Sequence, residues 1–228
     1  PFYKIASNEL TDWPLLEAVI ATGKPILLST GTATKEELKL TVNLIKKSKN
    51  KIVVLHCVNS YPTIIGDSNL LTMLEIGSNF DVLFGLSDHS LSNTAAITAV
   101  ALGACVVEKH LTLSRSDGGL DASFSLEPAE FKNLCDEVYD AWCSLGTVIY
   151  GGSTDLKKKG IFTRQLWSIR TILKGEKLSW ENVKSIRAPI DAEGISPMRF
   201  KEVLGKAAKK EIKIFEPIQS NLLIKSED

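Results

Sequence analysis

Five short apolar runs, at residues 2–6, 26–29, 52–56, 82–86 and 105–108, recur along the first half of this 228-residue chain, with starts 23 to 30 residues apart. That interval is too long for hairpins and fits a strand plus a returning helix, so it predicts parallel strands. The stretches between carry helix signals. Thr34 and Glu37 form a capping box ahead of Leu38, Val42 and Ile45. Leu15, Leu16, Val19 and Ile20 make an apolar stripe that stops at Gly23, and the Ala-rich stretch 92–102 ends at Gly103. Pro128 sits in the first turn of a helix running to about Leu145, ended by Gly146. Five such units form either a doubly wound sheet or five of the eight units of a (β/α)8 barrel, which needs about 250 residues.

Beyond Tyr150 the pattern changes. Gly151-Gly152-Ser153-Thr154 and Lys157-Lys158-Lys159-Gly160 read as an exposed linker, with the Lys run solvated. Strand candidates at 166–173 and 183–186 flank the turn Lys174-Gly175-Glu176, with Lys174 at the surface. The expected organisation is therefore a barrel portion over 1–149, a linker over 150–163 and a small β-rich domain over 164–228. The chain opens on Pro1 and enters a strand-like run at once, which suggests a piece of a longer protein with three barrel units ahead of it.

Charge bounds the partners. Lys+Arg and Asp+Glu are both 27, a net charge of zero, so nothing points to nucleic acid. No apolar run approaches the roughly 20 residues of a membrane span, and no signal peptide is visible. Cys57, Cys105, Cys135 and Cys143 show no CxxC spacing and are expected to be reduced, mostly buried thiols of a cytoplasmic protein.

Polar residues gather at the strand ends: Lys4 and Ser7, then Ser29 and Thr30 before Gly31, then His56 and Asn59, then Ser87, Asp88 and His89, then Glu108, Lys109 and His110. Parallel strands bring all of these to the face where α/β enzymes build their sites. Alternation puts Ser87 with His89 and Glu108 with His110, so inward histidines imply an inward Glu108, with Asp88 and Lys109 facing the helices. His89 and His110 could meet one metal ion and leave positions open for water and substrate oxygen. A single strand-end histidine is more often structural, and His56 is read as a core residue with one hydrogen bond.

Taken in order, KIASNEL (4–10), GKPILLSTGTATKEEL (23–38), LHCVNSYP (55–62), GLSDHS (85–90), ALGACVVEKHLTLSR (101–115) and SLEPAEF (125–131) resemble the sialic acid synthase, or nonulosonic acid synthase, family. The likeness continues through 164–187 and LGKAAKKEI (204–212). SRSDGGLDASFSLEP (114–128) is similar to the pseudaminic acid synthase branch.

The resemblance implies a partial TIM barrel followed by an antifreeze-like (SAF) domain. It implies a cytoplasmic transferase joining phosphoenolpyruvate to an amino-sugar aldehyde. Lys4, Ser7, Ser29, Asn59 and Ser87 match the family's phosphoenolpyruvate-binding positions, Tyr61 and Asp121 its sugar contacts, and His89 and His110 its metal ligands. The metal would be Mn2+, with Mg2+ or Co2+ as alternatives. Arg187 matches an arginine that the small domain sends into the partner's site in a domain-swapped homodimer. This chain has RAPIDAEGISP after it in place of the family's RPG pattern. Glu108 is the candidate for proton transfer or for holding a metal-bound water; a partner that orients His110 is the other reading.

The specific expectation is pseudaminic acid synthesis from 2,4-diacetamido-2,4,6-trideoxy-altrose, with N-acetylneuraminic or legionaminic acid synthesis as alternatives. The piece alone is expected to be inactive. Rival readings are an inactive truncated remnant with an open sheet edge, a carbohydrate- or ice-binding module in 164–228, and a doubly wound nucleotide binder, for which no GxGxxG or P-loop pattern appears.

Overall fold

The computed structural model describes residues 1–150 and 163–224, so the expected run Lys157–Lys159 and most of the linker lie outside the described residues. The chain divides into two units at the Gly146–Thr147 junction.

In the first unit, β1 (Tyr3–Ile5), β2 (Ile26–Ser29), β3 (Ile52–Cys57), β4 (Leu83–Asp88) and β5 (Val107–Lys109) alternate with α1 (Trp13–Ile20), α2 (Lys35–Lys47), α3 (Leu71–Phe80) and α4 (Thr94–Ala101), and α5 (Pro128–Leu145) follows. All neighbouring strands pair in parallel, in the order β1-β2-β3-β4-β5. A doubly wound sheet reverses its strand order at a switch point. Here the order never reverses, so right-handed crossovers lay every helix on one face, and the nucleotide-binder rival loses its architecture.

A single contact measures the curl of the sheet. In a flat sheet, four strand spacings of about 4.8 Å would hold β1 and β5 about 19 Å apart. Yet Lys4 Nζ on β1 stands 3.5 Å from Glu108 Oε1 on β5. The sheet is a curled parallel half-barrel whose concave side brings its outermost strands together.

Alternation sorts the side chains. Ile5, Leu28 and Val54 pack with Leu16, Val19, Leu38, Val42, Ile45 and Ile76 into the layer between sheet and helices. Residues of the other parity (Lys4, Ser29, Cys57, Ser87 and Glu108) face the concave side. The helix ends follow their signals. Glu37 N donates to Thr34 Oγ1 at 3.2 Å and Thr34 N to Glu37 Oε2 at 2.8 Å, and α5 starts on Pro128 and stops at Gly146. α3 follows from the strand spacing, but its start carries no capping signal, because Leu70 before it has no capping side chain. β3 and β4 outlast their apolar runs, since Cys57, Ser87 and Asp88 still pair with neighbouring strands.

The expectation of mostly buried thiols is corrected. Cys57 is buried, but Cys105, Cys135 and Cys143 are exposed, all four being free. Cys105 precedes β5 in a turn, and Cys135 and Cys143 lie on the outer side of α5.

In the second unit, β6 (Arg164–Ser168) pairs antiparallel with β7 (Val183–Arg187). Lone bridges join Trp167 to Pro217, Ile172 to Ile212, Lys177 to Ala207 and Ala208 to Leu223 around a core that includes Leu166, Leu178, Val183, Val203 and Ile218. The strand expected over 166–173 stops at Ser168. There Ile169 N turns to Asn182 O, and pairing resumes only at Ile172.

Candidate active site

The concave wall is built from neighbouring strand ends. Cys57, Ser87 and Glu108 are direct partners across β3, β4 and β5. Ser87 Oγ donates to Glu108 Oε1 at 2.7 Å. Lys4 Nζ faces that same oxygen and donates to Ile5 O at 3.0 Å. One hydroxyl and one ammonium therefore fix Glu108. The carboxylate beside His110 is that of Asp121, with Oδ2 3.6 Å from Nδ1.

Ser7 Oγ and the Cys57 thiol donate to one atom, Asn59 Oδ1, at 3.1 and 3.4 Å. With its oxygen doubly engaged, Asn59 keeps its amide Nδ2 as a donor. Gly31 makes this corner possible. It sits at φ +50°, and a Cβ there would lie 2.2 Å from Ser7 Cβ, 2.5 Å from Ser7 Oγ and 2.8 Å from Asn59 Nδ2. Burial pushes the Cys57 thiol pKa up, so the sulfur stays a neutral donor. Ser29 is 2% exposed and its hydroxyl has no hydrogen-bond partner among the described residues. Buried polar groups are nearly always satisfied, so this unpartnered hydroxyl is an exception on the concave side.

Just beyond β4 and β5, the rings of His89 and His110 stand 5.3 Å apart, edge to face at 69°. His89 Nδ1 donates to Val58 O at 2.9 Å, which places the proton on Nδ1 and leaves the Nε2 lone pair available. Burial lowers the His89 pKa, keeping the ring neutral. Two imidazoles bonded at about 2.1 Å to one ion have ring centres about 5 Å apart, so this pair fits a shared cation. Among the described residues no group of three or more His, Cys, Asp or Glu side chains is placed to hold a metal. Two imidazoles on one ion would leave positions open for water and a substrate oxygen.

Tyr61 stacks on His89 with ring centres 4.2 Å apart, and Phe124 lies 5.1 Å from both Tyr61 and His110. Asp121 and Phe124 belong to the segment 111–127, which is latched beside the imidazole: Leu126 N donates to His110 O, and Thr112 N to Leu126 O, both at 2.9 Å. Arg115 ties the segment to α5 through Glu130, and its Nε braces the segment internally by donating to Ser125 O at 3.0 Å.

The structure thus brings together Lys4, Ser7, Ser29, Asn59, Ser87 and Glu108, and beside them Tyr61, His89, His110 and Asp121. Arg187 closes β7 in the second unit. His56 faces the helices, bonds Ser68 O at 2.8 Å and is a core residue, as its sequence position suggested. Three residues here escaped sequence reasoning. Cys57 shares the parity of Asn59 and opposes Ser87, a signal open to use; Gly31 gave only an ordinary loop start. Phe124 gave no signal.

Residues 1–150 match the model of the NeuB family. The chain is 38% identical over 223 residues to the pseudaminic acid synthase of Helicobacter pylori, covering 97% of this chain and 65% of the relative. It is 41% identical over 222 residues to that of Campylobacter jejuni subsp. jejuni serotype O:2, covering 95% and 63%. The chain thus spans slightly less than two thirds of the length of these curated relatives. Among solved structures, a putative spore coat polysaccharide biosynthesis protein E from Chromobacterium violaceum superposes with a TM-score of 0.72 at 26% identity, over 98% of this chain and 68% of that one. With the half-barrel and its strand-end site in place, these likenesses show that the chain belongs to the NeuB family.

Proposed function

We propose that the protein carrying this chain is a pseudaminic acid synthase, a transferase that condenses phosphoenolpyruvate with 2,4-diacetamido-2,4,6-trideoxy-altrose to give pseudaminic acid and phosphate. One observation carries the chemistry: a cluster of hydroxyl, amide and ammonium donors lies against two converging imidazoles on one concave wall. The identity to two pseudaminic acid synthases supports the choice of sugar.

Phosphoenolpyruvate is a small, dense anion and needs cationic and neutral donors to replace its water. Lys4, Ser7, Ser29, Asn59 and Ser87 supply them. Tyr61 and Asp121 flank the sugar. His89 and His110 would hold the divalent ion, Mn2+ first and Mg2+ or Co2+ as alternatives. When bound, the ion supplies Lewis-acid polarisation of the aldehyde oxygen, worth several kcal/mol as charge develops there. The enol carbon of phosphoenolpyruvate bonds to the aldehyde carbon. Water adds at the former enol-ether carbon, Glu108 accepts its proton, and phosphate departs with C–O cleavage to leave the ketone.

This chain supplies five strands of the barrel and alone is inactive. The second unit serves as an antifreeze-like domain, delivering Arg187 to the partner's site in a swapped homodimer. The reaction runs in the cytoplasm.

The test gives the full-length protein phosphoenolpyruvate with the altrose derivative, with N-acetylmannosamine or with the corresponding diacetamido-mannose. Faster phosphate release with the altrose derivative is expected. Preference for N-acetylmannosamine would move the assignment to N-acetylneuraminic acid synthesis, and preference for the corresponding diacetamido-mannose to legionaminic acid synthesis.

A further inference from the structure

Behind the two imidazoles lies a charge pair that the proposed chemistry does not use. Asp88 and Lys109 directly precede His89 and His110, oppose each other in the β4–β5 register, and face the helices. Their side chains are 3% and 1% exposed, with Lys109 Nζ 2.6 Å from Asp88 Oδ2. Lys109 Nζ also donates to Ser90 O and approaches Ser92 O at 3.4 Å, while Asp88 Oδ1 accepts from Ser90 N at 2.8 Å. One ammonium therefore gathers residues 88–92 against β5, and His89 lies within the gathered segment.

Stability does not account for such a pair, because apolar side chains of similar volume often replace a buried ion pair at no cost. What those replacements lack is direction. A cation pinned to one carboxylate and two carbonyls fixes where the chain leaves β4 relative to β5, and the imidazoles ride on those two exits. We propose that Asp88 and Lys109 are positioning residues, a clamp on the far side of the sheet that sets the separation and orientation of His89 and His110. For metal affinity, the inference rests on the reading above that these rings hold a cation; for ring geometry it stands alone.

The experiment uses the full-length protein and the double variant Asp88→Asn/Lys109→Met, with Asp88→Glu as a second variant that keeps the charges and moves the carboxylate by one methylene. Imidazole nitrogen NMR of the metal-free protein reads the rings. The wild type is expected to show a single Nδ1–H tautomer for His89; the variants are expected to mix tautomers at His89. The signals of His56, bonded to Ser68 on the other side of the sheet, stay unchanged. Mn2+ binding, read by electron paramagnetic resonance, is expected to weaken about 10- to 100-fold, with the thermal midpoint of the double variant retained.

A single His89 tautomer in both variants, with wild-type Mn2+ affinity, would overturn the clamp. So would changes at His56 matching those at His89, which would signal general loosening. If the double variant does not fold, Asp88→Glu decides by the same signals. A wild type that binds no Mn2+, with mixed His89 tautomers still seen in the variants alone, would sink the cation reading and leave the clamp standing.

Discussion

Replacing Gly31 by Ala tests the tightest corner of the site. Two costs add. The backbone sits at φ +50°, where a side chain costs about 1–2 kcal/mol. The new Cβ would fall 2.2 Å from Ser7 Cβ, far inside contact distance, and such overpacking costs about 1–3 kcal/mol more. The expected loss is therefore about 2–5 kcal/mol. Gly23 supplies the control: it has φ +71° and nothing within 4 Å of its would-be Cβ, so Gly23→Ala carries only the first cost. Urea unfolding followed by circular dichroism at a helix-sensitive wavelength compares the two, since all five α-helices among the described residues lie in the first unit. Pushing Ser7 and Asn59 aside should also raise KM for phosphoenolpyruvate in Gly31→Ala and leave it unchanged in Gly23→Ala. Equal stability and equal KM for the two variants would refute the close approach of the β2 loop to Ser7 and Asn59.

Two further outcomes follow from the site's electrostatics. Burial lowers the pKa of both His56 and His89, so below the ordinary imidazole value of about 6.5 the unfolded chain takes up protons that the folded chain refuses. Stability should be flat above that value and fall as pH drops below it; His56→Gln should flatten the decline in thermal midpoint, and an undiminished slope would contradict the burial account. Glu108→Gln keeps the acceptor for Ser87 but removes the charge beside Lys4, and it should cut kcat about 10²- to 10⁴-fold with a smaller change in KM; a rise in KM alone would make Glu108 a binding group instead.

Much of this arrangement is legible in the sequence, because parallel strands leave a regular trace. The spacing of the apolar runs locates all five strands, and period-two alternation puts Glu108 with His110 on one side and Asp88 with Lys109 on the other. The curl is not legible: spacing alone serves a doubly wound sheet equally well, and only the unreversed strand order and the Lys4–Glu108 contact decide. Contacts made by loops also escape. Phe124 reaches Tyr61 and His110 because the segment 111–127 folds back through the Leu111–Leu126 bridge, and no local pattern encodes that return. Cys57 was hidden by its type: a lone cysteine in an apolar strand reads as core, yet its thiol helps to orient Asn59.

The central claim is a place: one concave wall where a phosphorylated enol lies beside two imidazoles. The most direct measurement is an anomalous difference map from crystals of the full-length protein grown with Mn2+ and phosphoenolpyruvate. The account predicts a metal peak bonded to Nε2 of His89 and of His110, with the phosphoenolpyruvate against Lys4, Ser29 and Asn59. A metal peak away from both rings, or phosphoenolpyruvate bound on the helical side of the sheet, would contradict it.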